Sequence, residues 1–230
     1  EGQKGRGGGR GGIGFGAGIT NVFTVAGNEA VQKEIGADEA TVGKIRTLNG
    51  ELREALQSEA QVNFQELRNL SDDERRTKMR EFGEKRAAVV GRFEPKLKEA
   101  LSADQYKRVR EIYVQALGVS ALTNRELAKE LEVSDEQARK ISEIQTEFGQ
   151  KRRDLGRDAA ADARQKLSEE ELKAATAVLT KEQQDKFTAL RGKEFDTSVL
   201  RQGRGGDRPG GGDRPAGGTR PNRTKRPATE

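Results

Sequence analysis

The sequence predicts an all-α protein: long antiparallel helical hairpins in two related units, with disordered termini. Three observations carry this expectation. Between Asn21 and Asp196 the only proline is Pro95, and apolar residues recur at spacings of three and four. An apolar residue followed by a hydroxyl, two further positions and Gln or Glu occurs repeatedly in that stretch, and this is a helix-start signal. Finally, a shift of 96 positions places Asn28, Lys33, Glu34, Lys44, Ile45 and Glu51 on identical residues, Asn124, Lys129, Glu130, Lys140, Ile141 and Glu147.

Taken in order, Glu1 to Thr20 is a glycine-dominated leader that cannot bury enough apolar surface to offset its ordering entropy. Residues 21–122 form the first expected helical unit. Ile45, Leu48, Leu52, Leu56, Phe64 and Leu67 make its first stripe; Met79, Phe82, Val89, Val90, Phe93 and Leu97 make the next, with Pro95 expected to kink or restart the helix. Tyr106, Val109, Ile112, Tyr113 and Leu117 make a third stripe. The second unit spans 123–196, where Val133, Ile141, Ile144, Phe148 and Leu155 line one helix and Leu172, Val178, Phe187 and Leu190 fall on shorter ones. The same shift of 96 sets Val31, Ile35, Leu48 and Leu52 on apolar Leu127, Leu131, Ile144 and Phe148. Residues 197–230 repeat Arg-Pro and Gly pairs and read as a low-complexity, disordered tail.

Composition narrows the functional classes. Apolar residues make up 32% of the chain against 35% charged, and mean hydropathy is −0.90, so stripes can be buried but not a thick core with a deep pocket. There is no histidine and no cysteine, which removes the usual imidazole base, thiol nucleophiles, disulfides and soft-metal sites, with Met79 the single methionine. No catalytic, cofactor-binding or metal-ligating residue is assigned: the acidic runs Ser71–Glu74 and Ser168–Glu171 lack the glycine turn of a calcium loop. Gly12 to Gly18 lacks the preceding strand of a dinucleotide loop. No stretch approaches a membrane span. The leader and tail together hold 11 basic and 4 acidic residues, leaving the middle with 32 basic against 34 acidic, so the basic pI belongs to the ends.

The recurring motif starts at Leu70, Leu101, Val133, Leu167 and Leu179. In each copy the hydroxyl can cap the third helical N–H while the Gln or Glu reaches back to the cap residue's own N–H. The leading apolar residue can staple onto the residue five further on, as Leu101 on Tyr106 or Leu167 on Leu172, whereas Leu70, Val133 and Leu179 meet Arg75, Ala138 and Gln184. All five copies are therefore expected to start helices.

The best copies, Leu101-Ser102-x-x-Gln105, Val133-Ser134-x-x-Gln137 and Leu179-Thr180-x-x-Gln183, match an LTxxQ pattern. With the duplicated helix entries at Asn28 and Asn124, the body resembles the Spy/CpxP-like LTxxQ family of bacterial envelope proteins. Its first-unit slot departs from the pattern, reading Gly36 to Ala40 with neither hydroxyl nor glutamine. The resemblance implies helical hairpins, a signal peptide and a periplasmic or secreted location, which a start at Glu1 rather than Met also fits. It further implies an ATP-independent chaperone or envelope-stress role. Unfolded or partly folded proteins would be the partners, held on mixed apolar and charged faces, with a homodimer as a further possibility. Phe64, Phe82, Phe93 and Phe148 are the candidate client contacts, and each also fits core packing. Two alternatives stand beside this reading. The RGG triplets at Arg6, Arg10 and Arg204 could bind nucleic acid, although Phe15 is the only aromatic in either tail; or the body could be a purely structural coiled helical module.

Overall fold

The computed structural model describes residues 21–156 and 160–202, and within them the chain is helical with no strand. The leader, the three RGG triplets and the tail from 203 onward lie outside the described residues. The helices are α1 Val22–Ala26, α2 Glu29–Glu34, α3 Glu39–Glu59, α4 Phe64–Leu67, α5 Asp72–Ala100 and α6 Ala103–Leu117. A 3₁₀ segment, Gly118–Thr123, leads into α7 Arg125–Glu130, α8 Asp135–Asp154, α9 Ala161–Thr176, α10 Lys181–Arg191 and α11 Val199–Gln202.

The long helices pair because each carries one apolar stripe. Helices α3 and α5 form a hairpin whose antiparallel sense is marked by the ion pairs Glu59–Arg92 (2.6 Å) and Glu51–Lys96 (3.1 Å). Helix α8 packs on α9, where the nearly buried Glu171 carboxylate meets Arg152. Two apolar clusters result. The first joins Phe23 and Val25 of α1, Val31 of α2, Ile45 and Leu52 of α3, Val89 and Leu97 of α5, and Val109 and Ile112 of α6. The second joins Leu122, Leu127, Leu131, Ile141, Ala175, Leu179 and Phe187 with Val114, which also belongs to α6. Two positions along a helix amount to roughly 200°, so Val114 points away from Ile112 and α6 is apolar on opposite sides.

Several elements depart from the sequence expectation. Pro95 does not restart a helix: α5 runs continuously through it, and Pro95 and Gly91, whose carbonyl loses its usual donor, both lie on the exposed face. Leu155 is not on a buried stripe; it is the C-cap of α8 and 40% exposed. Residues 199–202, read as the start of the tail, form α11, and Leu200 packs against the first cluster.

The motif at Leu167 starts no helix. Helix α9 has already begun at Ala161 within an alanine-rich run, so Ser168 lies inside it and its hydroxyl donates back to the carbonyl of Arg164 (2.9 Å). Its staple, Leu167 on Leu172, has no helix start to serve. The other four copies do cap: Ser71, Ser102, Ser134 and Thr180 each close a capping box. At the Leu70 copy the staple is replaced by the Arg75 guanidinium, which donates to the carbonyls of Leu67 (3.1 Å) and Leu70 (3.1 Å).

The entries to α3 and α8 share one local design. Asn28 and Asn124 cap the short helices α2 and α7. Those helices end in Schellman turns, in which Ala37 N–H donates to the carbonyl of Gln32 and Val133 N–H to that of Ala128, both at 2.9 Å. The left-handed residue is Gly36 (φ 60°) in the first turn and Glu132 (φ 54°) in the second, the only non-glycine with positive φ among the described residues. A side chain there strains the backbone by about 1 kcal/mol. Glu132→Gly is therefore expected to leave stability unchanged or raise it by up to about 1 kcal/mol, and Glu132→Val to lower it by more than about 1 kcal/mol, both read by urea unfolding.

Candidate functional site

The motif glutamines do more than cap. In α8, Gln137 N–H donates to the Ser134 hydroxyl (3.2 Å), and Gln137 Oε1 accepts from Ser134 N–H (3.0 Å). In α10, Gln183 and Thr180 make the same pair at 3.3 and 2.9 Å. The two amides then face each other. Gln137 Nε2 donates to Gln183 Oε1 (2.7 Å) and to the carbonyl of Val178 (3.2 Å). Gln183 Nε2 donates to Gln137 Oε1 (3.1 Å) and to the carbonyl of Glu132 (2.9 Å).

Every donor and acceptor of the two side chains is used, and each amide reaches the carbonyl five residues before the opposite glutamine. A carboxylate could close the capping box but has no hydrogen to donate across. That explains Gln at 137 and 183, where two helix starts meet, and Glu at 74, where the exposed box of Ser71 faces no second one.

Gln105 makes half of this arrangement. Its Oε1 accepts from Ser102 N–H (3.0 Å) and its Nε2 donates to the carbonyl of Ile35 (3.3 Å), but no second glutamine faces it. The first-unit slot is also framed differently from the Gly36–Ala40 reading. The N-cap of α3 is Asp38, whose carboxylate accepts from Thr41 N–H (2.8 Å), so Thr41 stands where Gln137 stands in α8. An aspartate cap carries no hydroxyl, which is why a search for Ser or Thr misplaces the frame by one residue.

Of the motif's apolar leaders, Leu101 and Leu179 are buried, in the first and second clusters, and Val133 is half-buried against the second. The candidate client contacts separate. Phe148 is 6% exposed and belongs to the core, whereas Phe82 and Phe93 are half-buried; the side chain of Phe64 lies outside those described. Phe82, Phe93, Phe148 and Phe187 each carry a cation from three or four residues later over the ring: Arg86 on Phe82, Lys96 on Phe93 (4.7 Å), Lys151 on Phe148 (4.2 Å) and Arg191 on Phe187. The cations are visible in the sequence as the alternating charge of a solvated face, but their role as ring covers is not.

At the far end of the α3–α5 hairpin, Val62, Leu67 and Leu70 line a shallow depression of about 340 Å³, with Glu66 and Lys78 at its edge. A second polar cluster lies beside α6. Tyr106 donates to Glu94, Arg110 forms a two-pronged pair with Glu130, and burial first, then the Glu94 contact, pushes the Tyr106 phenol far above its usual range. No group of three His, Cys, Asp or Glu residues placed to hold a metal ion occurs among the described residues. No helix among them is long and apolar enough to cross a membrane. No family model, curated protein or solved structure matches the chain.

Two outcomes follow from this geometry. Gln183→Glu keeps its own capping box but strips the donors from a largely buried amide, so unfolding free energy should drop by about 2 kcal/mol, while Glu74→Gln should change it by less than about 0.5 kcal/mol. Both are read by chemical denaturation. For pH, hydrogen bonds from Thr41 and Ser71 hold the carboxyls of Asp38 and Glu74 below the ordinary carboxylate range. A depressed carboxyl contributes stability that is present above its unfolded value and lost as pH falls through its folded value. The thermal midpoint should therefore hold down to about pH 5 and fall below about pH 4, and Asp38→Asn, which still caps, should flatten that fall.

Proposed function

We propose that this chain is a non-enzymatic, exported helical protein of the Spy/CpxP-like LTxxQ kind, a duplication of one hairpin module, that holds unfolded or partly folded polypeptides. The observation that carries the reading is the outer part of the α3–α5 hairpin. There, half-buried apolar residues, Leu56, Phe82 and Phe93 among them, alternate with charges and end in the depression lined by Val62 and Leu70. Such a surface offers small apolar contacts separated by ionic ones, so a client gains a little free energy at many points and a lot at none. It can be retained and still rearrange. The cations over Phe82 and Phe93 fit this weak regime, because a client must displace them to reach the rings.

Duplication is supported by the six identities in the ungapped alignment of Asn28 to Glu51 with Asn124 to Glu147, and by the matching caps and Schellman turns that open α3 and α8. Export is supported by the resemblance.

The reading is tested by light scattering from a chemically denatured client diluted into buffer. Stoichiometric protein should suppress aggregation, and the double variant Val62→Ser, Leu70→Ser, in the half-buried lining of the depression, should lose at least about half of that effect while keeping its far-ultraviolet circular dichroism. No suppression by the wild-type chain would sink the proposal. Suppression that survives in the double variant but vanishes when residues 1–20 and 203–230 are deleted would move the activity to the basic ends.

A further inference from the structure

Helix α6 holds a non-helical piece of this chain. After α10, Gly192 turns the backbone with φ 58°, and a Cβ there would lie 2.1 Å from Cδ of Glu111, so any side chain would strain this left-handed turn and push the Glu111 carboxylate aside. Residues 193–196 then run without helix or strand. Gln115 donates its amide to the carbonyls of Arg191 and Lys193 (2.7 Å) and accepts from Phe195 N–H (2.9 Å). Arg108 donates to the carbonyls of Lys193 (2.7 Å) and Glu194 (3.5 Å). Arg108 is itself fixed by Glu34 (2.7 Å) and Glu111 (3.0 Å), with its side chain 15% exposed.

All these contacts to residues 191–195 engage backbone atoms, and none selects a side chain. Selection comes from Phe195 and Leu200, which pack half-buried against the first cluster, while Lys193, Glu194 and Asp196 are exposed. Main-chain hydrogen bonds with spaced apolar anchors are how a protein docks an extended peptide without demanding one sequence. Arg108, held by two ion pairs of its own, needs little ordering when a peptide arrives. Because the docked segment is half-exposed and follows the last long helix, it can open without unfolding either cluster.

We infer that the side of α6 bearing Arg108 and Gln115 is a docking groove for non-helical polypeptide segments with an aromatic anchor, filled at rest by this chain's own residues 193–196, with Leu200 of α11 as a second anchor. This rests on the client-holding reading and assigns it a defined site, with the strap standing where a client segment would lie.

The probe is a fluorescent peptide of sequence KEFDTSVL, followed by anisotropy with the full chain. Gly192→Ala, which displaces the strap, should bind it at least about tenfold more tightly than wild type, since the tethered competitor is weakened. Adding Gln115→Ala should abolish the gain, and a peptide with alanine in place of its phenylalanine should not bind. Equal binding by wild type and Gly192→Ala, or dimerisation of Gly192→Ala without peptide binding, overturns the groove.

Should Gly192→Ala fail to fold, hydrogen exchange on wild type decides. The Phe195 amide should open well before that of Ile112 and faster still with excess peptide, and exchange only by global unfolding overturns the inference. Peptide binding without aggregation suppression would sink only the client-holding reading. Suppression without peptide binding would sink only the groove.

Discussion

The structure depends on α6 being apolar on two opposite sides. Val109 and Ile112 complete the first cluster and Val114 the second, and all three are fully buried. A helix apolar on more than one side must be covered on more than one side, which draws α1 and α5 onto it from one half of the chain and α10 from the other. Polar residues fill the gaps between these faces. Arg110 and Glu130 tie α6 to α7, Tyr106 ties it to Glu94 of α5, and Arg108 and Gln115 hold the strap. With so little apolar surface per residue, one shared helix makes two thin clusters more stable than either half could be alone.

The stripes on α3, α5, α6 and α8 were legible because burial of one helix face leaves a period in the sequence. The capping boxes at Ser71, Ser102, Ser134 and Thr180 were legible because the cap is made within four residues. Other features were not. Ser168 carries the same local signal as Ser102, but the helix begun at Ala161 overrides it. The short core helix α1 has too few residues to show a period, although Phe23 and Val25 are fully buried. The facing amides of Gln137 and Gln183 join residues 46 apart, and the strap joins Phe195 to Gln115 80 positions away. Pairings of that range leave no local trace.

The same contrast bears on function. The motif that opens the resemblance to envelope proteins starts helices in four of its five copies, and at Gln137 and Gln183 it locks two starts together through amides with no free valence left for a ligand. The client-holding surfaces proposed above lie elsewhere: on half-buried rings covered by lysine and arginine, on the apolar tip of the first hairpin, and on the backbone-reading side of α6. These surfaces share one property, a modest apolar gain set among charges, which suits retention without tight capture.

The most direct test is an amide chemical-shift map of the full chain titrated with a permanently unfolded, reduced and alkylated protein. The account predicts shifts that cluster at residues 60–71, around Phe82 and Phe93, and along the strap from 192 to 200. Shifts confined to the leader and to the tail beyond 203, with the helical body unmoved, would contradict it.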